Sequence, residues 1–304
     1  MPDTQVTITA DDGTPLAGTL TLPAGQGPHP ATLLLQGSGP IDRDGNNPKA
    51  ALNLGRPLAD TLAARGIATL RYDRRGVGAT PGDWRAAGFL DNQRDAATAL
   101  RTLTADPRIS AVTLIGHSEG AIHAMALAPQ AHAAVLLAGF ARLGEDALRW
   151  QGRSIAQSVP APGFLLRPLG AAALNRIKKT GTDVARIAGI PVNARWMREF
   201  LTHDPRTDLA RIHVPVLAVT GDKDLQVDPA DLETIRRLVP GHVETVRVPG
   251  LTHLLRVDNG NHTLRSYRRL LRDPVDARLL NLIADWLQHT LRSASPGIAA
   301  TAPQ

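Results

Sequence analysis

The chain has 304 residues, 43% of them hydrophobic, which suits one large α/β domain with a sizeable core and excludes disorder throughout. A formal charge of +6 invites a nucleic-acid reading, but lysine stands only at positions 49, 178, 179 and 223. Aromatic residues make up 3%, too few for base-stacking platforms, so no nucleic-acid partner is expected.

No window approaches the roughly 20 apolar residues of a membrane span, and the start Met1-Pro2-Asp3-Thr4-Gln5 lacks the basic and apolar regions of a signal peptide. A cytoplasmic protein with no membrane partner is the expectation. Without cysteine there is no disulfide, thiolate nucleophile or cysteine-based zinc site.

Taken in order, residues 5–10 and 16–22 alternate in polarity about Asp11-Asp12-Gly13-Thr14 and read as an antiparallel hairpin at one sheet edge. Residues 31–35 form an apolar run, a buried strand that ends in the loop Gln36-Gly37-Ser38-Gly39-Pro40. A helix follows over 52–65, with Gly66 as its C-cap. Next come a strand over 68–73, the loop Arg74-Arg75-Gly76-Val77-Gly78 and a helix within 90–103.

The strand 112–115 then turns into Gly116-His117-Ser118-Glu119-Gly120 and a helix-like stretch. This Gly-x-Ser-x-Gly, at a strand-to-helix junction, holds its serine in a strained turn with the hydroxyl raised above the sheet edge. Ser118 is therefore the candidate nucleophile.

A short strand over 134–139 continues the strand, helix, strand succession of a mostly parallel sheet with helices on both faces. The rhythm stops over 140–208, where Pro160, Pro162, Pro168, Pro191 and Pro205 interrupt helix-like pieces and no strand is evident; a helical cap insertion is expected. It resumes with a strand over 214–220, a helix over 229–238, a strand over 244–248 and a terminal helix over 276–291. The expected core is residues 1–139 and 209–292, and residues 293–304, rich in Ala, Pro, Ser and Gly, read as a disordered tail.

A serine needs a base, and the base needs a group to orient it. Two loops at the same rim supply them: Gly221-Asp222-Lys223-Asp224 after one strand and Pro249-Gly250-Leu251-Thr252-His253 after another. His253 is the candidate base. Asp222 and Asp224 both stand where the acid belongs. The other histidines occupy the elbow, turns, helix ends or the insertion.

These features, in the order serine, aspartate, histidine, resemble the α/β-hydrolase-fold serine hydrolases over residues 5–290 outside the insertion. The loop Gly37-Ser38-Gly39-Pro40-Ile41-Asp42-Arg43-Asp44-Gly45 and the stretch 70–78 resemble a bacterial branch that acts as carboxylesterases on short acyl esters. The resemblance implies Asp224, the fourth residue of its loop, as the acid, with Asp222 as its competitor. It also implies oxyanion N–H groups from Ser38, or else Gly39, and from Glu119.

A small-molecule ester is then the substrate and no cofactor or metal is implied. Peptidase, thioesterase or non-catalytic binding remain alternatives on the same scaffold. Gly37, Gly39 and Arg43 are candidate substrate contacts, although Asp42-Arg43-Asp44 also reads as a charged network pinning the loop. Glu119 as a side chain reads as a substrate contact or a helix-start carboxylate. The arginines at 256, 265, 268, 269 and 272 read as an entrance for anions or a solvated helical face.

Overall fold

Strands whose successive residues are apolar on both sides need cover on two faces, and the alternating leucines of residues 33–35 show how this chain provides it. Leu33 and Leu35 pack in one buried cluster with Phe89, Leu100, Ile122 and Met125, while Leu34 points into a second with Leu58, Leu62, Ile283 and Leu287. The computed structural model describes residues 3–48, 50–158, 167–260 and 263–294.

In chain order the elements are β1 (Asp3–Thr9), β2 (Pro15–Thr21), β3 (His29–Leu35), the two-residue strands β4 (Asn46–Asn47) and β5 (Ala50–Ala51), and α1 (Gly55–Ala63). They continue with β6 (Ala68–Tyr72), α2 (Phe89–Thr104), β7 (Ile109–His117), α3 (Glu119–Leu127) and β8 (Ala134–Leu137). The intervening segment holds α4 (Gly144–Gln157), α5 (Arg167–Lys179), β9 (Val184–Ile187), β10 (Ile190–Asn193), α6 (Ala194–Thr202) and α7 (Arg206–Leu209). The chain closes with β11 (Val216–Lys223), α8 (Asp231–Leu238), β12 (Val243–Thr252), α9 (Tyr267–Leu270) and α10 (Ala277–Ala294).

The main sheet runs β1-β2-β6-β3-β7-β8-β11-β12. Only the β1–β2 and β2–β6 pairings are antiparallel; every pairing from β6 to β12 is parallel. The expected architecture, a mostly parallel sheet with an N-terminal hairpin at its edge and helices on both faces, is the one observed. Parallel strands put their C-terminal ends on one rim, and there β7, β11 and β12 finish.

Residues 140–208 contain what the sequence reading missed, the antiparallel hairpin β9–β10 paired from Val184–Asn193 to Ile187–Ile190. Its turn at Ala188-Gly189 takes positive φ at both residues, a hairpin geometry that the pattern of short, partly exposed strands did not announce. The expected disordered tail is corrected at its start, since Ser293 and Ala294 are the last turn of α10. Residues 295–304 lie outside the described residues, as do Pro160, Pro162 and His262. Among the described residues no helix is long and apolar enough to cross a membrane.

Close packing of α3 on the sheet depends on two glycines. A methyl group on Gly120 would sit 2.0 Å from the Leu35 carbonyl oxygen, and one on Gly116 would sit 2.2 Å from that of Gly120. Both neighbours are backbone, which cannot step aside. Gly152, on the exposed side of α4, has open space around it. Gly120→Ala should therefore cost about 3 kcal/mol or more, whereas Gly152→Ala should stabilise by about 0.5–1 kcal/mol through helix propensity alone. Urea unfolding of the two variants beside the parent chain checks both signs.

Candidate active site

Ser118, Asp224 and His253 each stand one residue beyond the last residue of a strand, β7, β11 and β12. The neighbouring registers align these ends: His117 pairs with Leu137, Leu137 with Val219, and Lys223 with Thr252. Ser118 has φ 56° and ψ −120°, a conformation that a side-chain-bearing residue adopts only when its surroundings enforce it. Its N–H donates to the Leu137 carbonyl at 2.9 Å, and its carbonyl accepts from Ala121.

His253 is buried, and its Nδ1–H donates to Asp224 Oδ2 at 2.8 Å. That fixes the tautomer and leaves Nε2 with its lone pair. The other Asp224 oxygen accepts from the N–H groups of Gln226 and Val227, so the carboxylate is held at both ends. Asp222, exposed, faces elsewhere: its Oδ1 accepts from the Gly250 N–H at 2.6 Å. Of the two aspartates the sequence offered, Asp224 is the one beside His253, and Asp222 joins the two loops through backbone.

His117 holds the elbow to the base. Its Nε2–H donates to the His253 carbonyl at 3.0 Å, and the two imidazoles lie 4.9 Å apart. Burial, then the neighbouring His253, bring the His117 pKa down to about 3. Its ring is neutral near pH 7 and adds no charge beside His253. Arg256, assigned above to an entrance or a solvated face, is neither. It is buried, and it donates to the carbonyls of Leu52, Leu254 and Asp273, so it staples the loop that carries His253.

The loop after β3 passes over the serine. Gly37 is so close that a methyl group there would lie 3.4 Å from Ser118 Cβ. Ser38 follows, exposed, and Gly39 takes φ 94°. On the far side of the loop Arg43 donates to Asp73 through Nε at 3.1 Å and Nη2 at 2.7 Å, and its own backbone N–H donates to Asp73 at 2.8 Å. Arg43 Nη1 donates to Gln5 and Thr19. Burial pushes the Asp73 carboxyl up, and these hydrogen bonds outweigh it, leaving the group below its usual range. Asp42 caps the backbone N–H groups of Asp44 and Asn46, and Asp44 pairs with Arg71. Arg43 is thus placed in a network that pins the loop.

Arg74, next to Asp73, is the residue that sequence reasoning missed. Its Nη2 donates to the Gln36 carbonyl at 2.7 Å and its Nη1 to Glu119 Oε2 at 3.2 Å, inside the protein. Glu119 Oε1 accepts from Asn92 and from His123, each at 3.0 Å. Burial works to raise the Glu119 carboxyl, but the charge of Arg74 and the His123 hydrogen bond prevail and hold it at about 2. The Glu119 side chain is therefore a buried anion with its partners inside the protein. Its N–H, the first of α3, has no intrahelical acceptor.

Beside the loop after β3 is a cavity of about 270 Å³ whose lining does not include Ser118, Glu119 or His253. Ser38, Gly39, Arg74 and Asn92 bound it from the sheet side, and Val192, Trp196 and Met197 from β10 and α6. Asn193, the N-cap of α6, ties the two sides together: its amide donates to the carbonyls of Trp84 and Ala87 at 2.8 and 2.7 Å and accepts from the Trp196 N–H at 2.8 Å. Among the described residues no group of three or more acidic or histidine side chains is placed to hold a metal ion.

A family model described as serine aminopeptidase, S33, matches residues 53–260. Esterase EstD of Thermotoga maritima is 28% identical over 284 residues, covering 90% of this chain. The chain spans 65% of the length of that curated relative.

Among solved structures, Est1E from Butyrivibrio proteoclasticus with ferulic acid bound superposes with a TM-score of 0.65 at 17% identity, over 95% of this chain and 98% of that one. A 2,6-dihydroxy-pseudo-oxynicotine hydrolase gives 0.63 at 19% over 99% and 72%. The esterase Pf2001 of Pyrococcus furiosus gives 0.60 at 15% over 95% and 90%. At these identities the likeness is one of fold.

The lowered His117 pKa has a consequence for stability. Unfolded, this histidine binds a proton below about pH 6.5; folded, it does not until about pH 3. Between those values acidification favours the unfolded chain, by up to about 1.4 kcal/mol per pH unit from this residue. His117→Gln should flatten the fall in unfolding free energy between pH 7 and pH 4.5. Urea titrations at both pH values, with and without the substitution, measure the difference in slope.

Proposed function

The chain belongs to the α/β-hydrolase family that the serine aminopeptidase S33 model describes, and from that premise we propose that it hydrolyses carboxylic esters of short acyl groups through an acyl-enzyme. Ser118, His253 and Asp224 form its triad. One observation carries the reading: a buried histidine with its Nδ1–H on Asp224 lies against the ring of His117, the residue preceding a serine at φ 56°.

In this reading Ser118 Oγ attacks the ester carbonyl while His253 Nε2 takes its proton, and Asp224 stabilises the imidazolium. The oxyanion rests between the N–H groups of Ser38 and Glu119, the second at a helix N-terminus where the dipole also favours it. The alcohol leaves with the proton from His253, and water, activated by the same histidine, releases the acid. Residues 140–208 act as a cap over residues 1–139 and 209–292, with α6 and β10 closing the acyl side. The name of the Thermotoga relative supports ester substrates. The description of the family model supports a second reading, cleavage of an aminoacyl amide by the same residues. Parallel assays on p-nitrophenyl acetate and alanine p-nitroanilide separate the two.

A fluorophosphonate probe should label Ser118, and Ser118→Ala should abolish both labelling and turnover. His253→Ala should lower kcat on p-nitrophenyl acetate by about 10⁴–10⁶ and Asp224→Asn by about 10⁴. A folded chain whose Ser118 stays unlabelled defeats the proposal.

Arg74 gives a separate test, because it joins the backbone preceding Ser38 to the side chain of Glu119, the two sources of the oxyanion N–H groups. Arg74→Lys cannot keep both contacts and should lower kcat by about tenfold to a hundredfold, within the worth of one oxyanion donor. Affinity for a boronic acid that forms a tetrahedral adduct should fall in parallel, while KM for the acetate changes far less. An unchanged kcat would remove Arg74 from this role.

A further inference from the structure

We propose that the cavity beside the loop after β3 is an acyl pocket for compact, uncharged acyl groups that carry an aromatic ring. The inference rests on the hydrolase reading of Ser118 and assigns the substrate class of that site.

The side of the reaction follows from chemistry. The leaving alcohol takes its proton from His253, so it lies on the side of that residue and its loop. The lining holds neither Ser118 nor any residue of 221–228 or 250–258; the cavity adjoins the oxyanion side through Ser38 and Gly39 and through two partners of Glu119, Arg74 and Asn92. A carbonyl whose oxygen rests on the N–H groups of Ser38 and Glu119 has this cavity on its acyl side.

The class of acyl group follows from what the walls offer. Four charged or amide side chains reach the lining, and each has its partners within the protein. Arg74 serves Glu119 and Gln36; Arg75 serves Asp12 and Asp95; Asn92 serves Glu119; and Asn193 serves Trp84 and Ala87. Among the described residues an acyl carboxylate would lose its hydration and find no uncommitted cation in the lining, an unfavourable exchange.

Apart from the Ser38 hydroxyl and the buried Trp196 Nε1–H, what remains is apolar: Trp84, Ala87, Pro191, Val192, Trp196 and Met197. Each indole has a neighbour over its ring. Phe200 stacks on Trp196 with ring centroids 4.8 Å apart and planes 15° from parallel, and the Arg85 guanidinium sits 4.8 Å from the Trp84 ring centre. Two indoles, one of them stacked on Phe200, and a thioether favour a flat aromatic guest over a flexible chain, since ring contacts add to area burial and a rigid guest loses little entropy. A volume of about 270 Å³ is small for a ligand site and favours a compact acyl group over a long alkyl chain.

The test keeps the leaving group constant. p-Nitrophenyl esters of acetate, octanoate, palmitate, 3-phenylpropionate and monosuccinate are compared by kcat/KM, with fluorophosphonate labelling of Ser118 run alongside. The phenylpropionate should exceed the acetate by about tenfold or more, and the palmitate and the anionic succinate by more still. Trp196→Ala should cut the phenylpropionate-to-acetate ratio by about tenfold, and Trp196→Phe should retain most of it.

Labelling with a profile that is flat, that favours palmitate or succinate, or whose aromatic preference survives Trp196→Ala overturns the pocket assignment and leaves the hydrolase reading standing. Absence of labelling in the folded chain overturns the hydrolase reading itself.

Discussion

The dipeptide Asp73-Arg74, at the end of β6, holds the site together because its two side chains leave the backbone in different directions and each grips a different part of it. Asp73 takes the guanidinium and the N–H of Arg43 on the outer limb of the loop after β3. Arg74 takes the Gln36 carbonyl on the inner limb and, beyond it, the carboxylate of Glu119. Gln36 Nε2 closes the ring by donating to the Arg43 carbonyl. A glycine-rich segment that would otherwise pay a large entropy cost to be ordered is thereby clamped at both ends. Breaking such a buried pair by removing one partner typically costs about 3–5 kcal/mol, so the loop's position is strongly determined.

The parallel sheet supplies the rest of the placement. Side chains that follow consecutive strand ends must meet at one rim, and β7, β11 and β12 deliver the serine, the aspartate and the histidine within one residue of their ends. Precision is then added by side chains that bond backbone groups of the neighbouring loops. His117 reaches the His253 carbonyl, Asp222 the Gly250 N–H and Arg256 the Leu254 carbonyl. Strain at Ser118 is affordable because Gly116 and Gly120 let helix, strand and loop close around it without a side chain between them.

The fold was legible because its signals are local: apolar runs, turn residues and a glycine-framed serine lie in contiguous stretches. The strand ends also told where the aspartates and the histidine would converge. What the sequence left open was partnership. Asp222 and Asp224 are two residues apart across the end of β11, where the register is irregular between Gly221 and Lys223, and only the folded chain shows which of them meets His253. Arg74 and Arg75 are adjacent and identical in type, yet one serves the elbow and the other ties α2 to the first hairpin through Asp95 and Asp12. Arg256 looked like one member of a basic run and proved to be buried, because a guanidinium can be satisfied by carbonyls that no charge pattern reveals. The β9–β10 hairpin escaped for a related reason: its strands are short, partly exposed and interrupted by Pro191.

Asn193 raises the matter of how such a site ages. Two carbonyl oxygens point at its amide nitrogen, so conversion of that amide to an acid, by spontaneous hydrolysis or by a single substitution, would set like against like and push the two indoles apart. The usual route of that hydrolysis runs through attack by the following backbone nitrogen. Here the nitrogen of Ala194 is committed to the Asp183 carbonyl at 2.8 Å and opens a helix. The hydrogen bond from the Ala194 N–H to the Asp183 carbonyl therefore also disfavours that attack on an amide that joins the two sides of the cavity.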